Sequence, residues 1–313
     1  MSIPIFTTVE SFRSWRHEAF GSGKSVGFIP TMGALHQGHL SLVRRSLEET
    51  DLTVISIFVN PAQFAPHEDL DTYPRTLQAD LDLLTTSFSN KKPSAIFAPT
   101  SSEMYPSGIT QSISDQKGTF IQIKGYDHQM EGTSRPNFFR GVATVVTKLF
   151  NVVQPTKAYF GQKDIQQALI LKRMVRDLLL EWPGEKGLVI VPTERDEEDG
   201  LALSSRNAYL TREGRRVAPT LRKALLAVQE AWEKGGNVKD CLEVGKRLVD
   251  DVKTDEEMRL DYIALNDADT FDPLSEDSSK DKVGLVILSG ALWVGKTRLI
   301  DNILLGDTSL VFN

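Results

Sequence analysis

The hydrophobic positions alternate between short unbroken runs and helical stripes. Residues 25–30 (SVGFIP) form an apolar run that stops at a proline, the pattern of a buried strand. A glycine-bearing loop follows over 31–39. From 39 to 47, Leu40, Val43 and Leu47 share one helical stripe. Residues 52–60 (LTVISIFVN) are β-branched and end at Pro61, which predicts a second buried strand. Strand, helix and strand in so short a stretch predict a βαβ unit and a parallel sheet. The alternation continues with a helix over 79–87, a strand over 94–98, a long helix over 139–153, a short strand over 158–160 and an amphipathic helix over 166–180. Residues 105–132 are rich in Gly, Ser, Gln and Asp and predict an irregular excursion.

The texture changes after the turn cluster Pro-Gly-Glu-Lys-Gly at 183–187. Beyond it come a strand over 188–192, an acidic loop over 194–200 and helices over 212–234 and 238–252. Strands over 260–265, 284–288 and 300–305 predict a small mixed or antiparallel sheet, and 275–282 a charged surface loop. The expected organisation is a doubly wound, Rossmann-like α/β domain over 1–187 and a smaller α+β lid domain over 188–313.

Composition narrows the function. Of 313 residues, 40% are hydrophobic and 25% charged, ordinary values for a globular enzyme. The net charge of −6 argues against broad nucleic-acid binding, which needs a basic face. A small anionic substrate stays compatible, because a site can be locally basic. The single cysteine, Cys241, excludes an intrachain disulfide and a cysteine-rich zinc site. No apolar run is long enough to cross a bilayer, and the first twenty residues lack a signal-type apolar segment. A cytoplasmic location is expected.

The candidate chemistry sits in the loop after the first long strand. Pro30-Thr31-Met32-Gly33-Ala34-Leu35-His36-Gln37-Gly38-His39 holds H-x-G-H between a strand and a helix. Two imidazoles three residues apart can share one face of a first helical turn. Gly38 lets a triphosphate approach the backbone, and the helix N-terminus adds N–H donors and a positive dipole end. Together these can stabilise charge developing on a phosphate under attack.

This block resembles the signature of pantothenate synthetases, a family within the H-x-G-H nucleotidylyltransferases. H-x-G-H alone names only the larger group, and the narrower resemblance rests on further blocks. Phe58-Val59-Asn60-Pro61-Ala62-Gln63-Phe64 is similar to the family's pantoate-binding strand end, where an amide such as Gln63 can bond both hydroxyl and carboxylate. Asp71-Thr72-Tyr73-Pro74-Arg75-Thr76 also matches. Asp80 stands where the family associates an aspartate with magnesium; by itself it reads as a solvated helix carboxylate. Arg135-Pro136 matches, but Asn137-Phe138 stands where relatives carry Gly-His. Gly161-Gln162-Lys163-Asp164-Ile165-Gln166-Gln167 resembles G-E-K-D-x-Q-Q. Lys163 suits phosphate, Asp164 suits ribose hydroxyls, and Gln167 would complete a pantoate clamp opposite Gln63. Leu203-Ser204-Ser205-Arg206-Asn207 resembles the phosphate-binding loop of the second domain, although alone it is an ordinary polar loop.

The resemblance implies an ATP-dependent ligase that forms pantoyl-adenylate and passes the acyl group to β-alanine. It implies His36, His39, Lys163 and Arg206 as catalytic residues. ATP would meet Met32, Gly33, His36, Gly38, His39, Gly161, Lys163, Asp164 and the 203–206 loop. Pantoate and β-alanine would meet Pro30, Asn60, Gln63, Tyr73, Arg135 and Gln167. Magnesium on Asp80 and a homodimer are further implications. A transferase that leaves the nucleotide on its product, and a catalytically dead binding protein, are the rival readings.

A second motif competes for the nucleotide. Gly290-Ala291-Leu292-Trp293-Val294-Gly295-Lys296-Thr297 fits G-x-x-x-x-G-K-[ST]. Its interior is bulky where a phosphate cradle needs open backbone, and too little chain follows for a parallel sheet. Two short strands of the second domain are expected there instead.

Overall fold

The computed structural model describes residues 2–252, 254 and 256–312. The chain divides into two compact units: Met1–Gly161 with Gln166–Val191, and Gln162–Ile165 with Pro192–Asn313.

The first unit begins with β1 (Ile5–Phe6) and α1 (Val9–Gly21), which is capped by Thr8 accepting from the Ser11 N–H. The hydrophobic pattern does not announce α1, because its inward face carries a charge. Arg16 is buried and donates to the carbonyls of Val153 and Gln154. Then follow β2 (Val26–Thr31), α2 (Gln37–Glu49), β3 (Leu52–Ile57), α3 (Leu77–Ser87), β4 (Ala95–Phe97) and the short turns α4 (Ser101–Met104) and α5 (Glu131–Ser134). Next come α6 (Phe138–Val153), β5 (Lys157–Gly161), α7 (Ile165–Asp177) and β6 (Leu188–Val191).

All six strands are parallel, in the order β1-β4-β3-β2-β5-β6. The strands are apolar along their length because helices cover both faces. Phe28, Ile29, Val54, Ile55, Ile96 and Tyr159 are all sealed from water, each side chain contributing about 1.5–3 kcal/mol of burial. Successive strands run outward from β2 on one side, and β5 and β6 are laid on the other. The order therefore reverses between β2 and β5, and ligands of such sheets lie at the strand C-termini of that switch point. β6 pairs with β5 and belongs to this sheet, and the first unit runs to Val191.

The second unit carries α8 (Arg212–Val217), α9 (Thr220–Glu233), α10 (Val238–Asp250), β7 (Met258–Asp267), β8 (Val286–Val294) and β9 (Thr297–Leu305). The single helix expected over 212–234 is two, because Pro219 has no N–H to continue the first. The three strands form an antiparallel sheet in the order β7-β8-β9. Leu221, Leu225 and Val228 of α9 pack with Ile263, Leu288 and Leu292 in its core. Val294 pairs with Thr297, so Gly295-Lys296 is a two-residue hairpin turn. The P-loop formula falls on two strands and their turn, as the bulky interior indicated.

Candidate active site

The loop after β2 is built around one buried carboxylate. Gly33 has φ +88° and Ala34 φ +50°, the latter unusual for a residue with a side chain. Asp80 on α3 holds this turn. Its Oδ2 accepts from the Ala34 N–H at 3.1 Å and its Oδ1 from the Leu35 N–H at 2.8 Å. Thr76 Oγ1 adds a third bond at 3.4 Å. Asp80 is only 3% exposed. Burial raises its carboxyl pKa, and the bonds from Leu35, Ala34 and Thr76 pull the other way. The expectation of a solvated carboxylate fails here. Both oxygens accept from the loop backbone, so Asp80 shapes the turn that leads to the histidines. Among the described residues no group of three His, Cys, Asp or Glu side chains is arranged to hold a metal.

α2 begins one residue past His36, and both histidines cap it. His36 Nδ1 accepts from the Gly38 N–H at 3.1 Å, and His39 Nδ1 accepts from the His36 N–H at 3.4 Å. The arrangement is a capping box made of imidazoles instead of hydroxyl and carboxylate. A backbone N–H can only donate, so each Nδ1 is an acceptor and each neutral ring carries its proton on Nε2. The rings lie 4.2 Å apart. The sequence pattern put the imidazoles on one helical face; the structure makes them the helix terminus itself.

Beyond β3, Asn60 caps the turn Pro61–Gln63. Asn60 Nδ2 donates to Gln63 Oε1 at 3.0 Å, and Gln63 Nε2 donates to Met32 Sδ at 3.2 Å. Met32, Asn60 and Gln63 are thus brought together. Helix α6 reaches this turn because Gly141 has no side chain: a Cβ there would lie 2.2 Å from the Ala62 carbonyl oxygen and 2.7 Å from Gln63 Cα. Pro30 sits in β2 opposite Ser56 of β3. Tyr73 is buried edge-on against Phe64, at 5.7 Å.

Arg135 grips Glu68 with two bonds of 2.7 and 2.8 Å and donates to the Gln63 carbonyl at 3.3 Å. Its guanidinium stacks 3.9 Å over the Phe138 ring. A cavity of about 240 Å³ opens here, walled by Gln63, Glu68, Arg135 and Phe138 among others. On α7, Gln166 is buried and spends its amide on the carbonyls of Tyr126 and Gln129 and the Glu131 N–H. Its half-buried neighbour Gln167 has no such commitment among the described residues.

In the second unit, Asn302 of β9 holds the segment that carries Lys163. Its Nδ2 donates to the carbonyls of Gln162 and Lys163 at 2.9 and 3.0 Å, and its Oδ1 accepts from Gln162 Nε2 at 3.1 Å. Lys163 Nζ lies 3.6 Å from Asp164. Residues 194–203 fold back as a hairpin, with Leu203 N–H on the Glu194 carbonyl and Arg195 bridged to Ala202. Arg195 is clamped by Asp301 through two bonds of 2.8 Å. Arg215 ties Asp196 and Asp199 together at its tip. The hairpin delivers Ser204, whose hydroxyl accepts from the Arg206 N–H at 3.3 Å and starts a short 3-10 turn over Ser205–Tyr209.

Comparison with known proteins decides the family. The family model for pantoate-beta-alanine ligase matches residues 4–304. A pantothenate synthetase from Moorella thermoacetica is 45% identical over 301 residues, covering 96% of this chain and 98% of that protein. The crystal structure of pantothenate synthetase from Thermus thermophilus superposes with a TM-score of 0.82 at 43% identity, over 96% of this chain and 99% of that one. A pantoate-beta-alanine ligase from Francisella tularensis, complexed with beta-gamma ATP and beta-alanine, gives 0.69 at 30% identity, over 97% and 98%.

The chain belongs to the pantoate–β-alanine ligase family. It is a ligase that condenses pantoate with β-alanine to give pantothenate. Its departures from the family pattern have structural accounts. Phe138, in place of the family's histidine, supplies the face on which Arg135 stacks. Gln162, in place of glutamate, exchanges amide bonds with Asn302. Asn302 and Asp301 escaped the sequence reading because they follow Arg298 and Ile300 in a run that looks like any half-buried strand. The one available signal was two adjacent polar residues, Asp301-Asn302, inside a strand otherwise apolar to Leu305.

Proposed function

We propose that the ligase works through a pantoyl-adenylate formed at the H-x-G-H loop. The observation that carries this reading is the imidazole capping box at the switch point of the sheet, with both Nδ1 atoms committed to backbone N–H groups. In the first step the pantoate carboxylate attacks the α-phosphorus of ATP and pyrophosphate leaves. The Nε2–H groups of His36 and His39 stabilise the charge that moves onto the phosphates, and the family resemblance gives the same duty to Lys163, Ser204, Ser205 and Arg206 of the second unit. His39 is also the proton donor that the family resemblance suggests. In the second step the β-alanine amine attacks the acyl carbon and AMP leaves.

Pantoate lies between Gln63 and Gln167, near Pro30, Met32, Asn60 and Tyr73. ATP follows Gly33, Gly38 and Gly161, and the family resemblance assigns Leu203 and Asp164 of the second unit to the same nucleotide, Asp164 to its ribose. Magnesium enters as part of the ATP substrate, held by phosphate oxygens and water, a common arrangement for this ion. Asp80 acts by holding the loop, since its oxygens already accept from Ala34 and Leu35. Arg135 acts through Glu68 and the Gln63 carbonyl, and reaches a substrate carboxylate only by sharing that pairing. No described helix is long and apolar enough to cross a membrane, which agrees with a cytoplasmic enzyme. A homodimer is the expected assembly, checked by light scattering.

The test is an assay with ATP, magnesium and pantoate, with and without β-alanine. AMP and pantothenate appearing together, only when β-alanine is added, is the expected result. Pyrophosphate release indifferent to pantoate would overturn the reading. A product that keeps the nucleotide would point to a transferase instead.

A further inference from the structure

A set of hydrogen bonds around Asn60 decides which end of the Gln63 amide is offered to a ligand. Ala62 N–H can only donate, and it donates to Asn60 Oδ1 at 3.4 Å. The Gly141 carbonyl can only accept, and it accepts from Asn60 Nδ2 at 3.2 Å. These two backbone groups select one of the two orientations open to the Asn60 amide. Nδ2 is then directed at Gln63 Oε1, 3.0 Å away. Gln63 Nε2 is turned outward, where it meets the Met32 sulfur, a weak acceptor. An oxygen lone pair would be the better partner.

The selection by backbone alone is weak, because both bonds are long. Tyr105 is the strong member: a hydroxyl can donate or accept, but the positive charge of nearby Arg140 draws its oxygen lone pairs and leaves its proton for Asn60. Its hydroxyl donates to Asn60 Oδ1 at 2.6 Å, the shortest bond of the group. The residue is 3% exposed, and Lys148 Nζ lies 3.8 Å over the ring while donating to the Met104 carbonyl at 2.7 Å. Phe58 packs beside it at 6.5 Å. Tyr105 also ends the turn α4, its N–H on the Ser101 carbonyl at 2.8 Å. Burial pushes the phenol pKa up, so it remains a donor at neutral pH.

We infer that Tyr105 is a positioning residue for the acid substrate: its hydroxyl locks Asn60, and Asn60 makes Gln63 present its N–H donor, not its carbonyl, to the hydroxy acid. The inference rests on the reading that Gln63 meets pantoate. Without the phenolic hydroxyl the Asn60 amide can turn over. Gln63 can then follow, facing a carboxylate with its own carbonyl oxygen, which repels it.

The experiment is steady-state kinetics of Tyr105→Phe beside wild type, varying pantoate and ATP separately, with a thermal melt of each protein. The expected result is a roughly tenfold rise in KM for pantoate, with KM for ATP within twofold and the melting temperature held. An unchanged KM for pantoate would overturn the inference. So would parallel rises for pantoate and ATP, which would mean general loosening. If Tyr105→Phe does not fold, Tyr105→Met decides: it fills the space without a hydroxyl and adds no charge. The same selective rise supports the inference, and an unchanged KM for pantoate overturns it. A wild-type enzyme that ignores pantoate would instead remove the functional reading on which this stands.

Discussion

The Leu35 N–H points at the Asp80 carboxylate from 2.8 Å, across a gap of 45 positions in sequence. With the neighbouring bond from Ala34, it fixes a loop whose backbone includes a left-handed alanine. Asp80→Asn replaces one acceptor oxygen with an NH2 that faces a donor. A buried donor left without a partner costs about 1–3 kcal/mol, so kcat/KM for ATP should fall about tenfold to a hundredfold. The decisive measurement is a magnesium titration of the variant. Loss that persists at saturating magnesium fits a loop clamp. Recovery at high magnesium would make Asp80 a metal ligand after all.

His36 has two duties that one substitution can separate. Asparagine is a good helix cap and can take over the bond from the Gly38 N–H, but it has no group at the place of Nε2. His36→Asn should melt within a few degrees of wild type. Its pantoate-dependent pyrophosphate release should fall about a hundredfold, the scale of losing one stabilising donor. A rate within a few-fold of wild type would remove the imidazole from the chemistry.

Lys296 gives the opposite forecast. It is exposed in a hairpin turn between β8 and β9, despite completing a P-loop formula. Lys296→Ala should leave kcat and KM for ATP within twofold. A large rise in KM for ATP would reopen the nucleotide assignment.

The hairpin tip predicts a response to acid. Burial alone would raise the Asp199 pKa, but the Arg215 bond, the Leu201 N–H and the charge of Arg215 bring it below its ordinary 3.8. A carboxyl with a depressed folded-state pKa binds fewer protons folded than unfolded. Its contribution is complete above pH 3.8 and is lost as pH falls below it. The pair is partly exposed, so its worth is about 1 kcal/mol or less. Urea unfolding of wild type and Asp199→Asn should differ most at pH 6 and draw together as pH falls below 3.8. A constant difference across that range would contradict the assignment.

Much of the fold was legible because buried parallel strands and amphipathic helices leave different periods in the sequence. β2, β3, α6 and the H-x-G-H loop stood out for this reason. α1 did not, since Arg16 sits where the stripe needed an apolar residue, and the carbonyls that accept from it lie at the end of α6. The site was legible as a set of residue types, but less so as a set of duties. Asp80 and Arg135 read as groups facing ligands, and the structure engages them with Leu35 and Glu68. Tyr105 left no mark and Asn302 only a polar pair in an apolar strand, because a hydrogen bond to a partner 45 or 140 positions away has no period. Long-range pairing of polar groups is where a linear pattern carries the least information.

The missing side chain at Gly141 makes the setting of Gln63 depend on a helix backbone behind it. A methyl group there would have to retreat on the order of 1 Å from the Ala62 carbonyl to reach ordinary contact. Redesign of the pocket for bulkier acids therefore has two unlike routes. Changes on the 60–63 turn alter which chemical groups are presented. A change at position 141 would shift the turn and its hydrogen-bonded amides while leaving their chemistry intact. Selection for a new substrate could thus succeed at a residue that adds no contact to the ligand, and a library confined to pocket-lining positions would miss it.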